Sequence, residues 1–225
     1  MTDVKAFHES IKSGDLDGVR ASLAEDPALL NAKNDTGQNA VLLSKYYGQH
    51  DVTSHLLSLS PQLDIFTAAA VGDTAFVLSE LDRDPALLAA YSSDGWTPLH
   101  LASFFGYKDL ALKLIERGAQ VDAHSTNAMK NTPLHAAAAG RKAELVQLLL
   151  EHRADVNARQ QGGWTSLHGA AQNGDRAIVE LLLAHGAEVN ARAENDQTPL
   201  DLALLKGRKD IAALLDQLAG APQSQ

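Results

Sequence analysis

Short apolar runs alternate with polar ones along this 225-residue chain, and the alternation keeps a nearly constant length. The stretch 97–123 shows it in full. Thr97 followed by Pro98 is a helix start: the threonine caps, and a proline at the first position sacrifices an N–H that has no partner there. Leu99, Ala102 and Ser103 fall on one side of that helix, facing a neighbouring segment. Gly106 ends it. Leu110, Leu114 and Ile115 make the apolar stripe of a second helix. Gly118-Ala119 then releases the chain into an extended hairpin, Gln120-Val121-Asp122-Ala123. The pattern predicts a pair of short helices and a hairpin.

The pattern recurs. Thr97-Pro98-Leu99-His100 returns as Thr132-Pro133-Leu134-His135, Thr165-Ser166-Leu167-His168 and Thr198-Pro199-Leu200-Asp201, at a period of 33–35 residues. The hairpin returns at 154–158 and 187–191. Gly14, Gly48, Gly72, Gly106, Gly140, Gly174 and Gly207 each follow a short apolar segment and precede an amphipathic one. Each reads as the left-handed residue between two helices, so the seven predict seven helix pairs.

A fixed period of this size marks a solenoid, and T-P-L-H-x-A resembles the ankyrin repeat. Residues 94–219 resemble ankyrin repeats over four units, and residues 1–93 resemble divergent ones. Segments 60–66, 94–100 and 160–164 are similar to a group of small bacterial ankyrin proteins. The resemblance implies an all-α ankyrin-repeat solenoid of about seven helix-pair units, with short β-hairpin connections and polar capping units. It implies one domain over 1–219. An N-terminal cap (1–33) precedes divergent units 35–60 and 61–92. Regular units 94–127, 128–160 and 161–193 come next, then a C-terminal cap (194–219) and a disordered tail (220–225). It also implies a binding scaffold with no chemistry of its own.

Four irregularities break the array. Gly48 and Gly72 are only 24 residues apart, so one hairpin is missing, and Leu56 through Leu59 should pass almost directly into a helix starting near Pro61. Asp26-Pro27-Ala28-Leu29-Leu30 recurs as Asp84-Pro85-Ala86-Leu87-Leu88, a proline loop in place of the usual Gly-Ala. The hairpin 124–131 is two residues longer than its neighbours and should project. Gly140 falls one position early, leaving Arg141 where a glycine is expected.

Composition narrows the partner. The net charge of −9 disfavours a nucleic-acid backbone or an anionic membrane. With no cysteine there are no disulfides or thiolate metal sites. No apolar run is long enough to span a bilayer and no secretory signal is visible, so the expectation is a cytoplasmic monomer.

His8, His100, His135 and His168 hold equivalent places. Stacked units lie about 8–10 Å apart, so these imidazoles form a row and cannot converge on one ion. The resemblance implies that each bonds to an adjoining hairpin. His152 and His185, at the ends of second helices, read as solvent-facing. No catalytic motif is present, and the expectation is a non-enzyme with no cofactor, metal or catalytic residue.

The aromatics point to a partner. The chain has eleven. In ankyrin proteins partners meet the hairpin tips and first-helix ends, which line a concave face. Tyr46-Tyr47 and Phe104-Phe105 sit there, with Ala70-Val71, Ala139 and Gln172-Asn173 at equivalent places. Trp96 and Trp164 precede capping threonines, and Tyr91 lies at a tip. Aromatics bury large areas at small entropic cost, which makes them interface anchors. Lys33, His124, Arg159 and Arg192 occupy equivalent tips, and the long hairpin adds Met129 and Lys130. The expected partner is a protein. The chain could instead be an accessory or inhibitory subunit of a cytoplasmic enzyme or toxin. It could also be a substrate of an ankyrin-directed asparaginyl hydroxylase, since the segments ending in Asn157 and Asn190 resemble such targets.

Overall fold

The computed structural model describes residues 4–220. Among them are fourteen α-helices in seven consecutive pairs. They are α1 (Val4–Ser13) with α2 (Leu16–Glu25), α3 (Ala40–Tyr46) with α4 (His50–Ser58), and α5 (Ile65–Val71) with α6 (Thr74–Arg83). Next come α7 (Pro98–Phe105) with α8 (Lys108–Glu116) and α9 (Pro133–Ala139) with α10 (Ala143–Glu151). The last are α11 (Ser166–Asn173) with α12 (Arg176–Ala184) and α13 (Pro199–Leu205) with α14 (Lys209–Ala219). Each of the seven stretches 1–33 to 194–219 holds one pair. The tail expected over 220–225 lies, apart from Gly220, outside the described residues.

The helices form two compact units. One runs to Leu87 and takes in Tyr91–Gly95; the other comprises Leu88–Ala90 and everything from Trp96 onward. In the first, α3 packs between α1 and α5, and α2 lies on α4. Phe7, Ile11, Val19, Leu29, Val41 and Leu56 make its core. In the second, α7, α9, α11 and α13 pack in series, and α8, α10, α12 and α14 form a parallel series beside them. Leu99, Leu114, Leu134, Leu149 and Leu167 are almost wholly buried there, each contributing about 1.5–3 kcal/mol of transfer free energy.

Small residues permit this spacing. Ala102, Ala136, Ala137, Ala170 and Ala171 are closed off on the first helices, where larger side chains would hold neighbours apart. Six of the seven marker glycines have φ between 66° and 93°. The exception is Gly140, at φ −74°; Arg141 takes the left-handed place at φ 58°.

Three sequence expectations need correction. The connections are not β-hairpins. Among the described residues there is no strand, only an isolated antiparallel bridge between Lys33 and Asn39. The hairpins are tight turns closed by single bonds, such as Gln160 N–H to Trp164 O at 2.9 Å and Ala193 N–H to Gln197 O at 2.9 Å. A turn this short leaves no room for a ladder. Next, the proline loops are 3-10 helices, Pro27–Asn31 and Pro85–Ala89. Asp26 and Asp84 cap them, each accepting from the alanine N–H two residues on at 3.1 and 3.0 Å. Finally, the helix expected near Pro61 begins at Ile65. Asp64 is a better start than proline, because its carboxylate accepts the Thr67 N–H at 2.8 Å. Pro61 stays in the six-residue link between α4 and α5, which Asn31 holds by accepting the Gln62 N–H at 2.8 Å.

Candidate functional site

The histidines of the second unit illustrate how the scaffold is held. His100, His135 and His168 each stand one turn inside a first helix. Nδ1 lies 2.8, 2.9 and 2.9 Å from the hydroxyl of Thr97, Thr132 and Thr165. It also accepts the backbone N–H of the same threonine. Nε2 therefore carries the proton and donates it to a carbonyl in the next hairpin: Asn131 at 3.0 Å, Trp164 at 3.2 Å and Gln197 at 3.2 Å. Burial opposes a charged ring. It lowers the pKa of His100 and of His135 to about 4, and that of His168 in the same direction. Each imidazole is a neutral strut between one helix pair and the next within the second unit. His8 is also buried and its pKa is lowered, first by burial and then by Lys12. Among the described residues, no three side chains of metal-ligating type are grouped to hold an ion.

His152 and His185 do more than face solvent. The Nδ1 of each bonds to a carbonyl of the preceding turn, Leu148 and Leu181, at 2.8 Å. They cap α10 and α12 at their C-termini.

The aromatic candidates divide between the units. In the first, Tyr46 is half-buried and donates its hydroxyl to Asp94, which also accepts from the Ser92 hydroxyl. Burial and the Asp94 charge both raise the Tyr46 pKa, so the phenol stays protonated. Tyr46 thus pins the 91–95 turn. Tyr47 is 53% exposed, with the Lys12 ammonium 5.9 Å from its ring centre. Tyr91 is exposed as well.

In the second unit Trp96, just before α7, and Phe104, near its end, meet, and Phe105 joins them. The Trp96 and Phe104 rings are 5.3 Å apart at 71°, and the Phe104 and Phe105 rings 5.0 Å apart at 87°; both are edge-to-face contacts. Trp96 also lies 5.9 Å from the His100 ring. Trp164 repeats that contact with His168 at 5.9 Å, nearly parallel. All four large rings are half-buried. The structure therefore places them between the two roles open to them: each covers a strut histidine or a neighbour, and each keeps an open edge.

The long hairpin stands out with Met129 51% exposed and Lys130 also exposed. It is stiffened from within. Ser125 N–H donates to Asn131 O at 2.8 Å, and His124 Nδ1 lies 2.9 Å from Lys130 O. The carbonyl of Met129 accepts the Gln161 N–H at 2.8 Å, which ties this hairpin to the next.

The basic tips are partly committed. Arg159 donates to the carbonyls of Gly163 and Arg192 at 3.1 and 2.7 Å, and Arg192 to that of Asp196 at 3.3 Å. Lys33 pairs with Asp64 at 3.8 Å. The acidity is uneven. The first unit has six Lys and Arg against fourteen Asp and Glu, and the second thirteen against fourteen. Nearly all the excess negative charge thus belongs to the first unit, and Trp96, Phe104 and Lys130 belong to the nearly neutral second. Asn157, one of the two hydroxylation candidates, has both ends of its amide occupied: it donates to Gly186 O at 3.1 Å and accepts from Glu188 N–H at 2.9 Å.

Two further side chains were not singled out from the sequence. The stem of Lys142 lies over Gly106, its Cδ 2.9 Å from where a β-carbon there would stand. Leu205 occupies the place of Phe104 in the last pair and is 67% exposed. Counting seven residues on from Thr198, as from Thr97 to Phe104, would have found it.

The comparisons agree with this architecture. The family model for ankyrin repeats, in three copies, matches residues 7–125, 118–193 and 163–221. The chain belongs to the ankyrin-repeat family, whose repeats serve as protein-interaction scaffolds. It is similar to the serine/threonine-protein kinase VIK of Arabidopsis thaliana, 42% identical over 80 residues, covering 36% of this chain and 18% of that protein. It is similar to mouse ankyrin repeat and SAM domain-containing protein 6, 37% identical over 107 residues, covering 46% and 12%. The probable 26S proteasome regulatory subunit p28 of Saccharomyces cerevisiae is 28% identical over 173 residues, covering 71% of this chain and 75% of that one. The chain spans less than a fifth of the kinase and of the mouse protein. Among the described residues no helix is long and apolar enough to cross a membrane.

Proposed function

We propose that the chain is a non-catalytic scaffold that binds a protein partner in the cytoplasm. The contact would be made by the first-helix ends and hairpin tips of its second unit. The observation that carries this reading is the Trp96–Phe104–Phe105 cluster: three large half-buried rings braced in series, in the same unit as the exposed Met129-Lys130 tip. Rings already held in place lose little freedom when a partner covers them, so their burial favours association almost undiminished. The histidine struts add rigidity beneath. Trp164, Arg159, Arg192 and His124 would extend the surface over the other helix pairs of the second unit, and Tyr46, Tyr47 and Tyr91 are the candidates that the first unit carries.

A photo-reactive residue at position 105 or 129 tests it. Both should cross-link to the same partner, whereas one at the exposed Gln147 of α10 should not. Cross-linking from position 147 alone would overturn the reading.

A second reading, that of an accessory subunit, is favoured by one observation. The yeast relative, matched over most of its length, carries the name of a regulatory subunit. Co-purification in fixed stoichiometry with an enzyme, rather than transient capture, would distinguish it.

A further inference from the structure

The first unit contains a cavity lined by none of the residues proposed to meet a partner. Its volume is about 450 Å³, and it opens between α2 and α4, the second helices of their pairs. Leu23, Pro27, Leu30 and Leu59 make its apolar wall. The volume falls within the range of small-molecule sites, roughly 300–1,000 Å³.

Two irregularities of the sequence create it. Asp26 ends α2 and starts the 3-10 helix Pro27–Asn31, which sends Leu29 into the core and leaves Leu30 half-buried beside the opening. Then α4 stops at Ser58, and Ser60 turns the chain away in a left-handed conformation (φ 53°). No hairpin comes after it to close the end. Leu59 is left 42% exposed. In the second unit the corresponding helix ends lead into hairpins laced side by side, as Asp155 N–H to Asp122 at 2.9 Å shows.

The lining has one more property. Among the described residues, its only ionisable groups are Arg20 on α2 and His55 on α4, one on each wall, and no carboxylate lines it. That is unusual in a unit with fourteen acidic side chains. Arg20 meets Asp17 at 3.5 Å, but that carboxylate is 93% exposed. Such a pair contributes little and exchanges readily for a better-shielded partner.

We infer that this cavity binds a small carboxylate with an aliphatic body: the chain lies against Leu23, Leu30 and Leu59, and the carboxylate meets Arg20, with His55 opposite. Apolar burial supplies most of the affinity. The guanidinium selects the anion, because it can donate two parallel hydrogen bonds to one carboxylate.

The test uses the full chain with decanoate and decanol as probes and the leucine methyl resonances as readout. Decanoate should produce saturable shifts confined to Leu23, Leu30 and Leu59. Arg20→Met should weaken decanoate about tenfold, the loss of one charge-assisted contact, and leave decanol unchanged. Ala24→Trp, which fills the opening from an exposed position, should abolish both. The inference is overturned if decanoate gives no saturable shift. It is equally overturned if the shifts centre on other exposed leucines such as Leu204 and Leu205, or if Arg20→Met leaves decanoate binding intact.

Discussion

The carbonyl oxygen of Phe104 lies 2.1 Å from the point where a β-carbon on Gly140 would stand. That contact explains the displaced glycine of the fifth pair. In other pairs the glycine holds a left-handed turn. Here it is needed one residue earlier, because the ends of α7 and α9 approach backbone to backbone. Arg141 then accepts the left-handed conformation (φ 58°), at a cost of about 1–2 kcal/mol. Gly140→Ala should therefore destabilise by about 1–3 kcal/mol, since a backbone carbonyl cannot step aside as a side chain can. Arg141→Gly should change stability little: relief of strain is offset by greater freedom of the unfolded chain and loss of the 3.2 Å contact with Asp175. Urea unfolding of both variants is the measurement. Equal effects would remove the close approach as the reason for the glycine.

The Tyr46–Asp94 bond gives a second expectation. Tyr46→Phe keeps the ring and removes the donor to a charged acceptor, a loss of about 1.5–3 kcal/mol. Asp94 retains Ser92, so the lower end is expected. Thermal unfolding should show the loss, and hydrogen exchange should rise first in the 91–95 turn. A Tyr46→Phe variant as stable as the parent would return Tyr46 to the set of free binding anchors.

How much of the molecule was legible beforehand depends on what kind of signal carried it. The helix pairs were, because Thr-Pro starts and glycine ends are local chemistry. The displaced Gly140 was visible as an anomaly, but its cause was not: the Phe104 carbonyl is 36 positions away in sequence and reaches it only through stacking. The 3-10 helices were hidden because Asp-Pro marks a break in an α-helix but does not set the conformation beyond the break. The candidate site was legible as a set of residue types. The Trp96–Phe104 contact was not, nor was the commitment of Tyr46 to Asp94, because both depend on how a turn folds back on a helix. The cavity at α2 and α4 arises from two irregularities that sequence showed separately and only packing brings together.

Acid should weaken the fold through the strut histidines. In the folded chain His100 and His135 titrate at about 4, against an ordinary value of 6.5. A depressed pKa means that the unfolded state takes up protons first. The stability tied to these rings is fully present above pH 6.5 and is lost as pH falls from there towards 4. The loss is up to roughly 3 kcal/mol for each ring. Denaturation followed across that window should show the decline, and imidazole resonances should show both rings neutral at pH 5. Replacing His135 with glutamine should lower stability at pH 7 and flatten the dependence between pH 6.5 and 4. A variant that kept the parent's slope would show that other groups carry it.

The aromatic cluster allows the binding and packing roles to be separated in one comparison. Leu99 and Leu114 are buried to within 1%. Truncating either leaves a closed cavity and should cost about 2–5 kcal/mol of stability. Trp96 and Phe104 are only half-buried, so part of each ring already faces water and its removal leaves an open notch that solvent fills. Trp96→Ala and Phe104→Ala should each cost less stability than Leu99→Ala, and by similar amounts, because each ring meets two others, Trp96 those of His100 and Phe104 and Phe104 those of Trp96 and Phe105. If the rings are also anchors, each alanine should weaken the partner by about 2 kcal/mol or more, whereas Leu114→Ala, once folded, should bind normally. Phe105→Ala should separate the roles most clearly, since Phe105 meets only the Phe104 ring in the cluster and should lose affinity at small cost in stability. Stability and partner affinity measured on the same five variants decide the matter. Affinity losses that track stability losses would make the cluster a brace of the scaffold. Losses concentrated in Trp96, Phe104 and Phe105 and absent from Leu114 would make it the binding site.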